Sequence, residues 1–201
     1  VRLAVKDGPI SYVDQHNGGT NFLALREMFS RLPGGRPIKV LDLGMAWNSN
    51  IQFFSNFRAH LFVEDLFRWK TRMESKKTGQ SITDLLQPYP QGLQFDVILF
   101  WDLFDYLSNK ELEALIQHLT PFCKRGTLMF FVTSTLEKIP SQPAIFKIID
   151  AEHLLYETTT SAVSQGRQHR QAGIQRLLPG FRLVRAFRMS NGMEEYLYIY
   201  E

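Results

Sequence analysis

Apolar residues recur along this chain in two rhythms, and the alternation between them organises the fold. Short runs rich in β-branched and aromatic residues read as buried strands, while apolar positions three and four apart read as helices. The runs are Ile38-Lys39-Val40-Leu41-Asp42-Leu43, residues 60–64, residues 95–100 and residues 127–133. Between them lie helix-compatible stretches over about 50–58, 65–78 and 108–119. The last opens on Ser108 with Glu111 three residues on, a capping box. Phe22, Leu25, Met28, Phe29 and Leu32 predict an earlier helix, with Thr20 or Asn21 as N-cap and Pro33-Gly34-Gly35 as its stop. Ser81-Ile82-Thr83 suits a short strand ending at Asp84, and 145–155 is compatible with a helix. A basic helix is expected over 167–178, carrying Arg167, His169, Arg170 and Arg176. The chain closes on two β-rich runs around Ser190-Asn191-Gly192, and Asn-Gly between such runs signals a hairpin.

Strands alternating with helices predict a doubly wound α/β domain. Its sheet is mainly parallel, with helices on both faces and an antiparallel C-terminal hairpin. The expected division is an N-terminal arm and helix over 1–35 and the α/β domain over 36–201, with 135–178 as an insert able to cover a substrate.

Composition narrows the class. With 201 residues, 44% of them apolar and 13% aromatic, the chain can bury a substantial core and does not read as disordered. A net charge of +3 without a long basic run permits an anionic partner but does not require nucleic acid. Cys123 is the only cysteine, so no internal disulfide forms, and a reducing, cytoplasmic setting is expected. His16, His60, His118 and His169 share no ligand spacing, so no metal centre is expected. No apolar stretch approaches the roughly 18 residues of a membrane span. The chain opens on Val1, as a processed protein or a piece of a longer one would.

The candidate chemistry sits at the ends of the expected strands. In an open α/β sheet, ligands bind outside the carboxyl ends of the strands. Asp42 and Gly44 end the first strand, Glu64 and Asp65 the second, and Phe100, Trp101, Asp102 and Asp105 follow the strongest one. Glu64 and Asp65 lie about 22 residues beyond Asp42, near the spacing at which such folds place a ribose-binding carboxylate. Each position also has a plain structural reading. Asp42 could cap its own turn, Glu64 and Asp65 could favour a helix N-terminus, and Asp84 could be an N-cap.

Taken together and in order, these segments resemble the class I S-adenosylmethionine-dependent methyltransferases. Val40-Leu41-Asp42-Leu43-Gly44 is similar to that family's first motif, and Phe95-Asp96-Val97-Ile98-Leu99 to its fourth-strand motif. Cys123-Lys124-Arg125-Gly126-Thr127-Leu128 and Leu178-Pro179-Gly180-Phe181 with the final hairpin match its later elements. The glycine loop is degenerate. Where the family's common form has glycines at alternate positions, this chain has Gly44, Ala46 and Asn48, with the bulky Trp47 between the last two.

The resemblance implies S-adenosylmethionine as cofactor, contacted by Asp42, Gly44, Ala46, Trp47, Glu64, Asp65, Asp84, Leu85, Phe100 and Trp101, with Glu64 favoured for the ribose. It implies methyl transfer to a small or medium-sized acceptor, with Asp102 or Asp105 as the base where the acceptor must lose a proton. The signatures of amino-methylating adenine and cytosine enzymes are absent, as is a Pro-Cys pair. The altered loop also admits an alternative, a domain that has lost catalysis and binds protein or RNA.

Overall fold

Alternation of large apolar residues builds the centre of the sheet. In the computed structural model, which describes residues 19–76, 81–158, 160, 162–167, 169 and 171–201, the elements follow in chain order. They are β1 (Thr20–Asn21), α1 (Leu23–Ser30), β2 (Lys39–Asp42), α2 (Asn48–Ser55), β3 (His60–Val63) and α3 (Leu66–Lys76). After a 3₁₀ turn over Ile82–Leu85 come β4 (Phe95–Trp101), α4 (Asn109–Leu119) and β5 (Cys123–Ser134). Then come β6 (Lys138–Pro140), β7 (Ile145–Ile148), β8 (His153–Glu157) and β9 (Val163–Gln165). The chain ends with α5 (Gln171–Leu177), β10 (Phe181–Arg188) and β11 (Met193–Tyr200). Residues 1–18 of the expected N-terminal arm, with His16, residues 77–78 of the helix-compatible stretch over 65–78, and Arg170 lie outside the described residues.

The main sheet has six strands in the order β10-β11-β5-β4-β2-β3. The four from β5 to β3 are parallel, and β11 runs antiparallel to both β5 and β10. Phe95, Ile98 and Phe100 of β4 join one core layer with Leu112, Leu115 and Ile116 of α4 and Ile174 of α5. Val97, Leu99 and Trp101 join the other, with Leu25 and Met28 of α1, Phe54 of α2 and Phe146 of β7. The doubly wound, mainly parallel sheet with a C-terminal hairpin is therefore present. Over its carboxyl end lie two small antiparallel sheets, β1-β8-β7 and β6-β9.

Three local expectations are overturned. Residues 145–155 form strands rather than a helix, because the buried positions, Phe146 and Ile148, then Leu154 and Tyr156, follow a period of two. Residues 81–84 form no strand. Ser81 and Asp84 make a reciprocal capping box on the 3₁₀ turn, with Asp84 accepting the Ser81 N–H at 2.9 Å. The first helix starts later than Thr20, which pairs with Leu154 in a sheet.

The cap of that helix is remote in sequence. Phe22 at the N-cap offers no side-chain bond, and the buried Glu195 of β11 supplies one instead. Its carboxylate accepts the N–H groups of Leu23 at 2.8 Å and Ala24 at 2.7 Å. A second carboxylate fastens the opposite end of the sheet. Asp96 accepts from Arg36 at 2.6 Å, from the Lys39 N–H at 2.9 Å and from Lys124 at 2.7 Å. Burial pushes its pKa up, but these donors outweigh burial and hold it down at about 2. Among the described residues no helix is long and apolar enough to cross a membrane.

Glu195→Ala leaves two helix N–H groups without their acceptor. It should lower stability by about 1–3 kcal/mol, read as a lower midpoint in chemical denaturation, with Glu195→Gln losing less.

Candidate active site

The site is built around the turn that leaves β2. Gly44 donates its N–H to the Asp42 Oδ1 at 2.9 Å, and the Trp101 indole Nε1 donates to the same oxygen at 2.6 Å. Trp101 reaches that position because its backbone adopts φ 52° at the end of β4, a left-handed conformation rare for a bulky residue. The indole then lies over Gly44, where an added Cβ would come within 2.5 Å of the ring. Gly44 is required here by an intramolecular contact. Phe146 of β7 stacks on Trp101, with ring centroids 5.2 Å apart and planes 10° off parallel. Burial raises the Asp42 carboxyl to about 6, opposed by the bonds from Trp101 and Gly44.

Beside this cluster, a cavity of about 360 Å³ opens at the carboxyl ends of the parallel strands. Its volume lies in the range of small-molecule sites. Its walls are Leu43, Gly44 and Met45 of the turn, Asp65 after β3, and Arg68, Thr71 and Arg72 of α3. Trp101, Asp102 and residues 142–146 complete it. A neighbouring cleft of about 350 Å³ is lined by Ala46, Asp65, Arg68 and Arg72.

The structure gathers some of the sequence-predicted residues and disperses others. Gly44, Asp65, Trp101 and Asp102 line the main cavity, and Asp42 is buried behind them. Ala46 faces the neighbouring cleft. Trp47 lies beneath the Lys147 ammonium, 4.6 Å from its ring centroid, and lines neither space. Glu64 is turned away and accepts the Gln87 N–H at 3.2 Å, so Asp65 is the carboxylate at the cavity wall. Asp84 serves the capping box and is exposed, and Leu85 packs against the core. Phe100 points into the layer opposite Trp101.

Asp102 and Asp105 form the second part of the site. Asp102 accepts the Ala144 N–H at 2.8 Å, and Asp105 accepts the Ser134 N–H at 2.8 Å. The Oδ1 of each is buried without a hydrogen-bond partner among the described residues. Burial raises Asp102 to about 7, opposed by the Ala144 bond. Burial and then the Asp102 charge raise Asp105 well above the ordinary carboxylate range. Both side chains line a smaller cavity of about 50 Å³, and Asp102 lines the main one as well.

Sequence reasoning missed several supports. Asn50, buried on α2, donates to the Phe146 carbonyl at 2.9 Å and accepts the Ile148 N–H at 2.8 Å, which fixes β7 over the cleft. A polar residue beside the apolar Ile51, Phe53 and Phe54 was the available signal. Arg68 and Arg72 share one face of α3 four residues apart, a spacing visible in the sequence. Among the described residues no cluster of three metal-ligating side chains is present.

No family model and no curated protein matches this sequence. Solved structures do match in fold. The PH0226 protein from Pyrococcus horikoshii OT3 is 12% identical over 89% of this chain and 88% of its own, with a TM-score of 0.53. An S-adenosylmethionine-dependent methyltransferase from Clostridium acetobutylicum ATCC 824 is 11% identical over 90% and 92%, with a TM-score of 0.51. The glycopeptide N-methyltransferase MtfA complexed with sinefungin is 11% identical over 94% and 90%, also at 0.51. At such identities the likeness is one of fold: the chain has the Rossmann-like architecture shared by the PH0226 protein and the two methyltransferases.

The carboxyl of Asp102 titrates near 7 in the folded chain, against about 3.9 when unfolded. The folded state therefore holds the proton more tightly, and stability falls as pH rises from about 4 through 7. Asp102→Asn removes this penalty while keeping an acceptor for Ala144. The variant should melt above the parent at pH 8, by on the order of 1–3 kcal/mol, and the advantage should shrink as pH approaches 4.

Proposed function

We propose that this domain binds S-adenosylmethionine in the main cavity and transfers its methyl group to a small or medium-sized acceptor. The observation that carries the reading is the placement of the cavity of about 360 Å³. It lies between the glycine turn, the carboxylate after β3 and the aromatic end of β4, at the ligand-binding end of a doubly wound sheet. Bound S-adenosylmethionine supplies a methyl group on a positively charged sulfur, an electrophile that needs only a correctly placed nucleophile.

The residues present fit such a molecule. Asp65 stands at the cavity wall as a carboxylate able to accept two adjacent ribose hydroxyls. Leu43, Met45, Leu103 and the Trp101 ring give apolar wall for a nucleoside. The turn backbone at Gly44 and Met45 borders the same space. In this reading Ala46 flanks the cofactor from the neighbouring cleft, and Asp42 acts by holding the turn and Trp101. Trp47, Glu64, Asp84, Leu85 and Phe100 support the surrounding structure.

The chain's own part is mostly positioning, since proximity and orientation account for much of the rate in such transfers. Residues 142–146 form a lid on the cavity, held down by Asn50 through β7 and by Tyr106, whose hydroxyl donates to the Gln142 carbonyl at 2.8 Å. Asp102 stands between the two cavities, where it can orient the acceptor and take a proton from it. Its elevated pKa suits a base working near neutral pH.

The test is calorimetric titration with S-adenosylhomocysteine, which requires no knowledge of the acceptor. Micromolar binding, roughly −8 kcal/mol, is expected, weakened at least ten-fold by Asp65→Ala and unchanged by Asp84→Ala. No binding at millimolar ligand would overturn the proposal and leave the protein- or RNA-binding module as the better reading.

A further inference from the structure

We infer that the small cavity beside the main one is the seat of a protonated amine, and that the acceptor taken by this domain is an amine held there by Asp102 and Asp105. The second half of that statement rests on the methyl-transfer reading; the first half does not.

The cavity measures about 50 Å³, room for on the order of three or four water-sized groups. That suits an ammonium with one or two attached carbons. Each carboxylate is fixed from behind by one backbone N–H, from Ala144 and from Ser134, which leaves the Oδ1 of each without a donor. Two buried acceptors on neighbouring side chains ask for one group that donates more than one hydrogen bond. An ammonium has up to three N–H donors and a positive charge, a hydroxyl has one donor and no charge, and a carboxylate has neither.

The rest of the wall agrees with a cation. Tyr106, Phe146 and Tyr156 supply aromatic rings, and Val132, Ile139 and Met193 supply apolar surface. Aromatic rings attract desolvated cations. The titratable groups of the wall are Asp102, Asp105, Tyr106 and Tyr156, with no Lys, Arg or His among the lining residues described. An entering ammonium therefore meets two acceptor oxygens without a competing cation in the wall. Burial has raised both carboxyls, and a cation beside them favours their ionised forms.

The seat also orients the amine. Asp102, Ala144 and Phe146 belong to the walls of both cavities, so a nitrogen bound against Asp102 sits at the boundary with the main one. One proton step completes its preparation. An N–H bond of the ammonium breaks with its electron pair remaining on nitrogen, and the proton passes to the Asp102 carboxylate. The products are a neutral amine with a free lone pair and a carboxylic acid.

Titration of the full chain at pH 8 with methylammonium and ethylammonium, with ethanol and acetate as controls, tests the seat through thermal shift and calorimetry. The ammonium ions should stabilise the protein saturably, and ethanol and acetate should not. Affinity should fall at least ten-fold in Asp105→Asn and in Asp102→Asn, and fall in the parent on going from pH 8 to pH 5 as Asp102 protonates. Stabilisation by ethanol equal to that by ethylammonium would overturn the inference, as would unchanged ammonium affinity in whichever variant retains its far-ultraviolet dichroism. S-adenosylhomocysteine titrated separately distinguishes the two readings. Its binding without any ammonium binding overturns the amine seat and leaves methyl transfer standing. Ammonium binding without it supports the seat and removes methyl transfer.

Discussion

The hydrogen bond from the Trp101 indole to Asp42 is the constraint on which the cleft depends. A large aromatic residue in the left-handed region costs on the order of 1–3 kcal/mol, and it persists only where its surroundings over-determine it. Here they do so from three sides. Asp42 accepts the indole N–H at 2.6 Å, Gly44 leaves room for the ring, and Phe146 stacks against it. One side chain thus joins the end of β2, the glycine turn, the end of β4 and the lid. Gly44, Trp101 and Phe146 border the cavity, and Asp42, which does not, holds the first two in place.

The two ends of the sheet treat the same residue type in opposite ways. Asp96, at the amino end of β4, gathers donors from Arg36, Lys39 and Lys124 and is held at about 2. Asp102 and Asp105, just past its carboxyl end, receive one main-chain bond each from a neighbouring residue and are pushed up. Asp102 and Asp105 are more deeply enclosed than Asp96 and meet no cation, whereas Asp96 has two, so desolvation and charge partners together decide the outcome. The first arrangement fastens strands together. The second leaves acceptor capacity unspent inside the protein, which a fold tolerates where something is to be bound.

Much of the architecture was legible because it depends on neighbours in sequence. The apolar runs of β2, β4 and β5, the Ser108–Glu111 capping box and the Asn-Gly hairpin all express local rules, and all are present. What failed depended on distant partners or on a short ambiguous run. The cap of α1 comes from Glu195, more than 170 residues away, and no local pattern announces it. The apolar positions of 145–155 fit either period until pairing with β1 selects the strand. In the site, the sequence named both Trp47, within the glycine turn, and Trp101, at the end of the strongest strand, as cofactor contacts. The ring that covers Gly44 belongs to Trp101, brought there by sheet order and a backbone reversal that hydropathy does not encode. Glu64 and Asp65 are adjacent, and only the path of the chain between β3 and α3 decides which faces the cavity.

The missing strand at 81–84 has a consequence for how such a site diversifies. Because the main sheet ends at β3, the outer wall of the cleft is formed by α3, through Arg68, Thr71 and Arg72. Side chains on an outer helix face can change without disturbing a strand register. Ligand preference on that flank is therefore uncoupled from the integrity of the sheet, and a lineage could exchange one bound anion, sugar or base for another by point substitutions on a single helix while inheriting the rest of the domain intact.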